Sequence, residues 1–321
     1  MKSSLAASVA DDQKIAFLFP GQGSQKVGMD APLRETDAER VDEYLGRADE
    51  ASGLPVTRLT AEGPIEELTR TDVAQPALFS LSLALADVAR EVGLSPDFVA
   101  GHSLGEYTAA VVSGSLDPAD GLPLVCQRGR LMAELQSVRP GAMAAILGLS
   151  AEDVERLCER ASETGLVGAA NLNSPSQVVV SGEEGAVERL ILLAKEAGAK
   201  RALRLQVGAA FHSELMTPVR ERLGETMNEL SWNDPETPLV ANWSGETVTS
   251  GEEVHHALVT QVASPVRWVE CVQTLVDAGC TRFVELGPGR VLTGLVRQIA
   301  GDEVEAMSAD SPATIEELAA R

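Results

Sequence analysis

Val99-Ala100-Gly101-His102-Ser103-Leu104-Gly105-Glu106-Tyr107, about one third of the way along the chain, decides how the rest is read. A short apolar segment runs into a turn with a glycine on either side of a serine. A helical pattern follows, with Leu104, Tyr107, Thr108 and Val111 at helical spacing and Gly114 as a stop. Gly101-x-Ser103-x-Gly105 is the nucleophile-elbow pattern, in which the flanking glycines let the chain turn sharply enough to expose the serine hydroxyl at a helix N-terminus. First-turn N–H groups there have no helical partner and can hold a developing oxyanion. A tight strand-to-helix turn with an incidental serine has the same sequence, so the decision falls to partners elsewhere in the chain.

Working outward, Lys14–Phe19 is a near-continuous apolar run, the pattern of a strand buried on both faces. It ends in Pro20-Gly21-Gln22-Gly23-Ser24-Gln25, which is neither G-x-G-x-x-G nor a P-loop. A strand-end loop that brings backbone N–H groups and Gln22 to a reaction centre is the functional reading. Residues 31–60 are acidic and helical, a solvated cover. A long apolar helix is expected from Thr71 to about Val92, then a strand at Phe98–Gly101. Strand–helix alternation gives the α/β class. The helix begun by Asp117-Pro118 carries Leu124, Arg128, Leu131 and Met132 on one face. An arginine on such a stripe either snorkels at its edge or points into a cleft to hold an anion in its planar fork. Arg130 reads as surface.

From Gly141 to about Val207 the texture changes. Strands are expected at Ala142–Leu147, Leu166–Leu172, Gln177–Val180 and along Leu203–Val207, with helices between them. The order βαββαβ is that of a ferredoxin-like module, inserted because α/β texture resumes at Ala209. The expected division is therefore 14–139 with 209–300 as a discontinuous large domain and 140–208 as the inserted subdomain. Residues 1–13 and 301–321 are expected to be peripheral. Further strands are read at Leu239–Trp243 and Arg282–Leu286, a helix near Val254–Ala263, and an architectural turn at Gly287-Pro288-Gly289.

The formal net charge of −22 disfavours nucleic acid, whose phosphates it repels. Only 5 of the 26 basic residues are lysine, a balance that suits a soluble acidic enzyme or a high-salt interior. No run approaches the roughly 18 apolar residues of a membrane span, and the N-terminal apolar stretch is short for a secretory segment. A cytoplasmic location is the expectation, with no membrane partner. The four cysteines lack metal-site spacing and read as small core residues, so no metal is expected.

A serine nucleophile needs a base, and the chain has four histidines. His102 adjoins the serine in a strained turn and His255 and His256 read as solvated. His212 lies where the chain re-enters the large domain, which makes it the candidate base. A main-chain carbonyl or a Gln side-chain carbonyl from the Gln261 segment could orient it in place of a carboxylate.

Eight motifs then appear in order: Phe19-Pro20-Gly21-Gln22-Gly23-Ser24-Gln25, Gln75-Pro76-Ala77, Gly101–Glu106, Gln127-Arg128-Gly129, Asn171–Pro175, Phe211-His212-Ser213, Gln261 with Pro265–Trp268, and Glu285–Gly289. Together, over about residues 14–297, they resemble the malonyl-CoA:acyl carrier protein transacylases, the acyltransferases of fatty-acid and polyketide synthesis. The resemblance implies an α/β-hydrolase-like domain with an inserted ferredoxin-like subdomain. It implies that Ser103 attacks the thioester of malonyl-CoA, His212 takes its proton, and the backbone N–H groups of Gln22 and Leu104 form the oxyanion hole. Arg128 would clamp the malonyl carboxylate, while Asn173 and Gln261 would order the site around His212. Phe211 would crowd an α-methyl branch. The partner would be an acyl carrier protein, with no cofactor beyond the coenzyme A thioester, and the chain would act as a monomer. The alternatives are an acyl-carrier-protein acyl hydrolase, which Arg128 argues against, a trans-acting polyketide acyltransferase, and a non-catalytic docking module.

Overall fold

The computed structural model describes residues 13–321. The reading of 1–13 as a frayed tail therefore falls, but for Gln13, outside the described residues. The protein is a mixed α/β molecule built on two sheets. The first has six strands in the order β10-β9-β1-β2-β7-β8. These are β1 (Lys14–Phe19), β2 (Phe98–Gly101), β7 (Leu239–Val240), β8 (Thr247–Val248), β9 (Cys280–Leu286) and β10 (Glu305–Ala309). All neighbours are parallel except β7 with β8.

Strand β1 is central and shows why its sequence is apolar throughout. Phe17 and Phe19 enter the core that holds Leu78 and Phe79 of the helix Thr71–Glu91. Ala16 and Leu18 enter the opposite core, against Trp268, Cys271, Leu275 and Val296. Side chains alternate between the faces, and helices cover both. The helix Thr71–Glu91 is long and apolar enough to span a membrane by composition alone. Here 89% of its most apolar stretch is buried within the molecule, so it serves as the core helix.

The second sheet has the order β4-β5-β3-β6, formed by β3 (Ala142–Leu147), β4 (Val167–Ser174), β5 (Gln177–Gly182) and β6 (Arg201–Arg204), all antiparallel. Ala144, Ile146, Val178 and Val180 face the helices Ala151–Ala161 and Glu184–Glu196. Met143, Ala145 and Val179 face the other way and join the large core. At its outer edge β4 is tied to the segment before the helix Trp268–Asp277 by main-chain bonds, Leu172 N to Val266 O (2.9 Å) and Val266 N to Ala170 O (2.8 Å).

Several expectations change. The terminal segment 301–321 is not peripheral: β10 pairs along its whole length with β9, and Ile315 and Leu318 of the helix Pro312–Ala319 are buried. The expected strand over Leu203–Val207 is β6, ending at Arg204, and Leu239–Trp243 shortens to two residues because the chain turns at Asn242. In the acidic cover, the helix Ala38–Ser52 still buries Val41, Leu45 and Ala48.

Candidate active site

At the carboxyl end of β2, Ser103 adopts φ 54° and ψ −104°, a left-handed turn that a non-glycine residue holds only when its surroundings enforce it. The glycines on either side permit the approach. A Cβ on Gly101 would lie 1.9 Å from the Gly105 carbonyl carbon, and one on Gly105 would lie 1.9 Å from Phe19 O. Asn242 fixes the turn, accepting from Ser103 N at 2.7 Å and donating to Gly101 O at 2.7 Å.

Ser103 Oγ lies 2.7 Å from His212 Nε2. His212 Nδ1 faces two main-chain carbonyls, Gln261 O at 3.0 Å and Ser264 O at 3.2 Å. With Nδ1 donating, Nε2 is left as the acceptor for the serine proton. The residue is 4% exposed. Burial, then the positive charge of Arg128, lowers its pKa to about 3, which keeps the ring neutral at physiological pH.

Arg128 does not snorkel. It is 1% exposed, and its Nη1 donates to Gln75 Oε1 (2.7 Å) while Nη2 donates to Gln261 Oε1 (3.0 Å) and to Ser103 Oγ (3.1 Å). The guanidinium lies over the Tyr107 ring at 5.1 Å, and its Nε is buried without a partner among the described residues. Neutral amides thus hold a cation, with donor capacity to spare beside the serine. Arg130 is largely exposed, as read.

The backbone N–H groups of Leu104 and Gln22 have no acceptor among the described residues, whereas the amides of Ser103, Gly105 and Glu106 are taken. The Gln22 side chain donates to Thr71 Oγ1 (3.2 Å) and Thr69 O (3.4 Å), pinning its loop. A cavity of ≈ 250 Å³ opens onto these groups, lined by Gln22, Ser103, Leu104, Arg128, Phe211 and His212 with Met132, Met143, Leu205 and Val207.

Asn173 departs from its expected place. It holds His102, not His212, through Oδ1 and His102 Nε2 at 2.8 Å, and His102 also meets Trp268 edge-on at 5.4 Å. His255 is not simply solvated; it is half-buried edge-on to Trp232 with its Nε2 buried. The four cysteines are buried.

Three site residues have roles that the sequence pattern does not reveal: Gln75, Asn242 and Glu106. Gln75 and Asn242 hold Arg128 and the serine turn. Glu106 is wholly buried; its Oε2 accepts from Gln261 Nε2 (2.7 Å) and its Oε1 from Asn242 N (3.2 Å). Burial raises its pKa to about 7, against the pull of those hydrogen bonds and of Arg128. The available signal was a charged residue in an otherwise apolar helix.

The family described as "Acyl transferase domain" matches residues 16–314. The chain belongs to this family. It is 43% identical over 304 residues to the malonyl CoA-acyl carrier protein transacylase of Bacillus subtilis (strain 168), covering 94% of this chain and 95% of that protein. Among solved structures, the malonyl-CoA:acyl carrier protein transacylase of Xanthomonas oryzae pv. oryzae superposes with a TM-score of 0.91 at 39% identity, covering 96% of this chain and 98% of that one. A malonyl-transacylase in complex with its type II PKS acyl-carrier protein superposes with a TM-score of 0.88 at 39% identity, over 94% and 98%. The protein is an acyltransferase.

Proposed function

We propose that this acyltransferase moves the malonyl group from malonyl-CoA to the phosphopantetheine thiol of an acyl carrier protein, through an ester on Ser103. The observation that carries the reading is Arg128, a buried guanidinium with Nη2 3.1 Å from the nucleophile oxygen. A bidentate fork at that distance suits an acyl group bearing its own carboxylate.

Ser103 Oγ attacks the thioester carbonyl carbon as His212 Nε2 takes its proton. The oxyanion forms between the free N–H groups of Leu104 and Gln22. The carbon–sulfur bond breaks and the departing sulfur takes the proton from His212. In the second half the carrier thiol gives its proton to His212, attacks the acyl-serine and returns Ser103 to its hydroxyl form. The same residues serve both halves of a ping-pong cycle. Arg128 holds the acyl group in place, and the apolar wall of Met132, Met143 and Phe211 leaves an attacking water poorly placed. Phe211 disfavours an α-methyl branch by about 1–3 kcal/mol.

On this reading the six-stranded unit is hydrolase-like, with its nucleophile at a strand end. The 140–208 unit, with antiparallel order β4-β5-β3-β6, is a ferredoxin-like insertion that walls the cleft. The enzyme acts in the cytoplasm as a monomer and needs no cofactor beyond the thioester. Incubation with radiolabelled malonyl-CoA is expected to leave one acyl group on Ser103, which a holo carrier protein then removes. Arg128→Ala is expected to cut malonyl loading by about 100-fold and acetyl loading far less, the loss of a charge-assisted clamp. A folded protein that takes no label, or an equal loss for both acyl groups, overturns the reading.

A further inference from the structure

Ser103-Leu104-Gly105-Glu106 has the sequence of a helix-capping box, in which the serine bonds to the backbone of the third residue on and the glutamate reaches back. Neither bond is made. Ser103 makes no side-chain cap and turns to His212, while the Glu106 carboxylate turns inward to Gln261 and Asn242. A carboxylate with no exposed surface is costly unless its partners repay it.

Those partners explain the position. An amide such as Gln261 presents an acceptor at one end and donors at the other, and only the acceptor end can bond Arg128, whose guanidinium offers donors alone. In the structure Oε1 faces the guanidinium, because Nε2 is drawn to Ser103 O (2.8 Å) and Glu106 Oε2 (2.7 Å). The main-chain carbonyl of the same residue accepts from His212 Nδ1. Gln261 therefore joins the acyl-carboxylate holder to the base, and Glu106, together with Ser103 O, anchors the NH2 end of its amide so that Oε1 stays on the guanidinium.

We propose that Glu106 is a positioning residue for acyl-group selection: accepting on both oxygens, it fixes the Gln261 amide and so holds Arg128 where the carboxylate of the acyl group is read. This rests on the malonyl-transfer reading above. Glutamine at 106 fills the same volume but sets an NH2 against one of two donors, Gln261 Nε2 or Asn242 N. With that NH2 against Gln261 Nε2, the amide keeps only Ser103 O as its acceptor and its hold on Arg128 slackens, because a flip would set NH2 against the guanidinium and oxygen against Ser103 O. A purely structural role predicts the same loss for every acyl group; a positioning role predicts a loss that depends on the acyl carboxylate.

The test is acyl loading of Ser103 from malonyl-CoA and from acetyl-CoA, followed by intact mass and single-turnover kinetics for the wild-type chain, Glu106→Gln and Gln261→Met. Gln261→Met keeps the main-chain carbonyl on His212 and removes only the amide. Both variants are expected to lower the malonyl-to-acetyl ratio of loading rates by about 10- to 100-fold, the size of one lost charge-assisted hydrogen bond. A ratio unchanged in either folded variant overturns the inference while the wild-type acyl-serine leaves the proposed function standing. If Glu106→Gln does not fold, the Gln261→Met ratio decides. Absence of malonyl from wild-type Ser103 overturns both.

Discussion

Two strand-to-helix turns flank the central strand, one after β2 at Gly101–Gly105 and one after β9 at Gly287–Gly289. Both need glycine for close approach: a Cβ on Gly287 would come within 2.5 Å of Pro20. They treat the helix N-terminus in opposite ways. After β9 the buried Glu285 caps the helix Val291–Ala300, accepting from Leu292 N (3.1 Å), Thr293 N (2.7 Å) and Thr293 Oγ1 (2.8 Å). After β2 the corresponding amides are partly spoken for, and Leu104 N is left open beside the serine. Filling the donors makes a fastener, and leaving one unfilled makes a place for negative charge to develop.

The contrast can be broken most severely at Ser103, the proposed nucleophile. Ser103→Ala is expected to lower acyl transfer by about 10⁵–10⁶-fold while leaving the melting temperature unchanged or higher, since it removes the reacting atom. Calorimetry beside a transfer assay checks both. Gly105→Ala drives a methyl into Phe19 O and is expected to cost about 1–3 kcal/mol or more of stability. It should also slow loading by about 100-fold through displacement of the turn. Unchanged loading would mean the turn tolerates a shift that its contacts forbid. At the other turn, Glu285→Gln leaves a buried donor short of an acceptor. The expected loss is about 1–3 kcal/mol in urea unfolding, with loading rates per folded molecule unchanged.

The smallest effect sharpens the account of the base. The His212 pKa of about 3 lies below the ordinary value, so the folded state resists a proton that the unfolded chain accepts near pH 6.5. Stability from this group is full above that pH and is lost as pH falls from about 6.5 toward 3. Loading of acetyl, which has no carboxylate for Arg128 to hold, is accordingly expected at pH 5.5 within about twofold of that at pH 7.5. A fall with a midpoint near 6.5 would show the imidazole to be solvated.

The sequence is most readable where one residue's environment is local. Strand β1 declares its two buried faces by an unbroken apolar run, and the serine turn declares itself through paired glycines. Arg128 was visible as a cation on an apolar stripe, with two readings that only a cleft could separate. Asn242 gives no such sign, and Gln75 shows only as part of a motif with no role attached, because their roles depend on contacts made 139 and 53 residues away. Asn173, expected beside His212, bonds His102 instead, a partner 71 residues away that its local sequence does not announce. Strand β10, Glu-Ala-Met-Ser-Ala, has weak strand preference and is a strand through its pairing with β9.

The main-chain bridge between β4 and Val266 has a mechanical consequence. Val266 lies two residues beyond Ser264, whose carbonyl steadies His212, and β4 also carries Asn173, which steadies the neighbour of Ser103. One strand is thus clipped to both halves of the dyad, like a jig that holds two workpieces at a fixed spacing. Any substitution that shifts β4 is therefore felt at His212, through Val266 and Ser264, and at Ser103, through His102, at the same time.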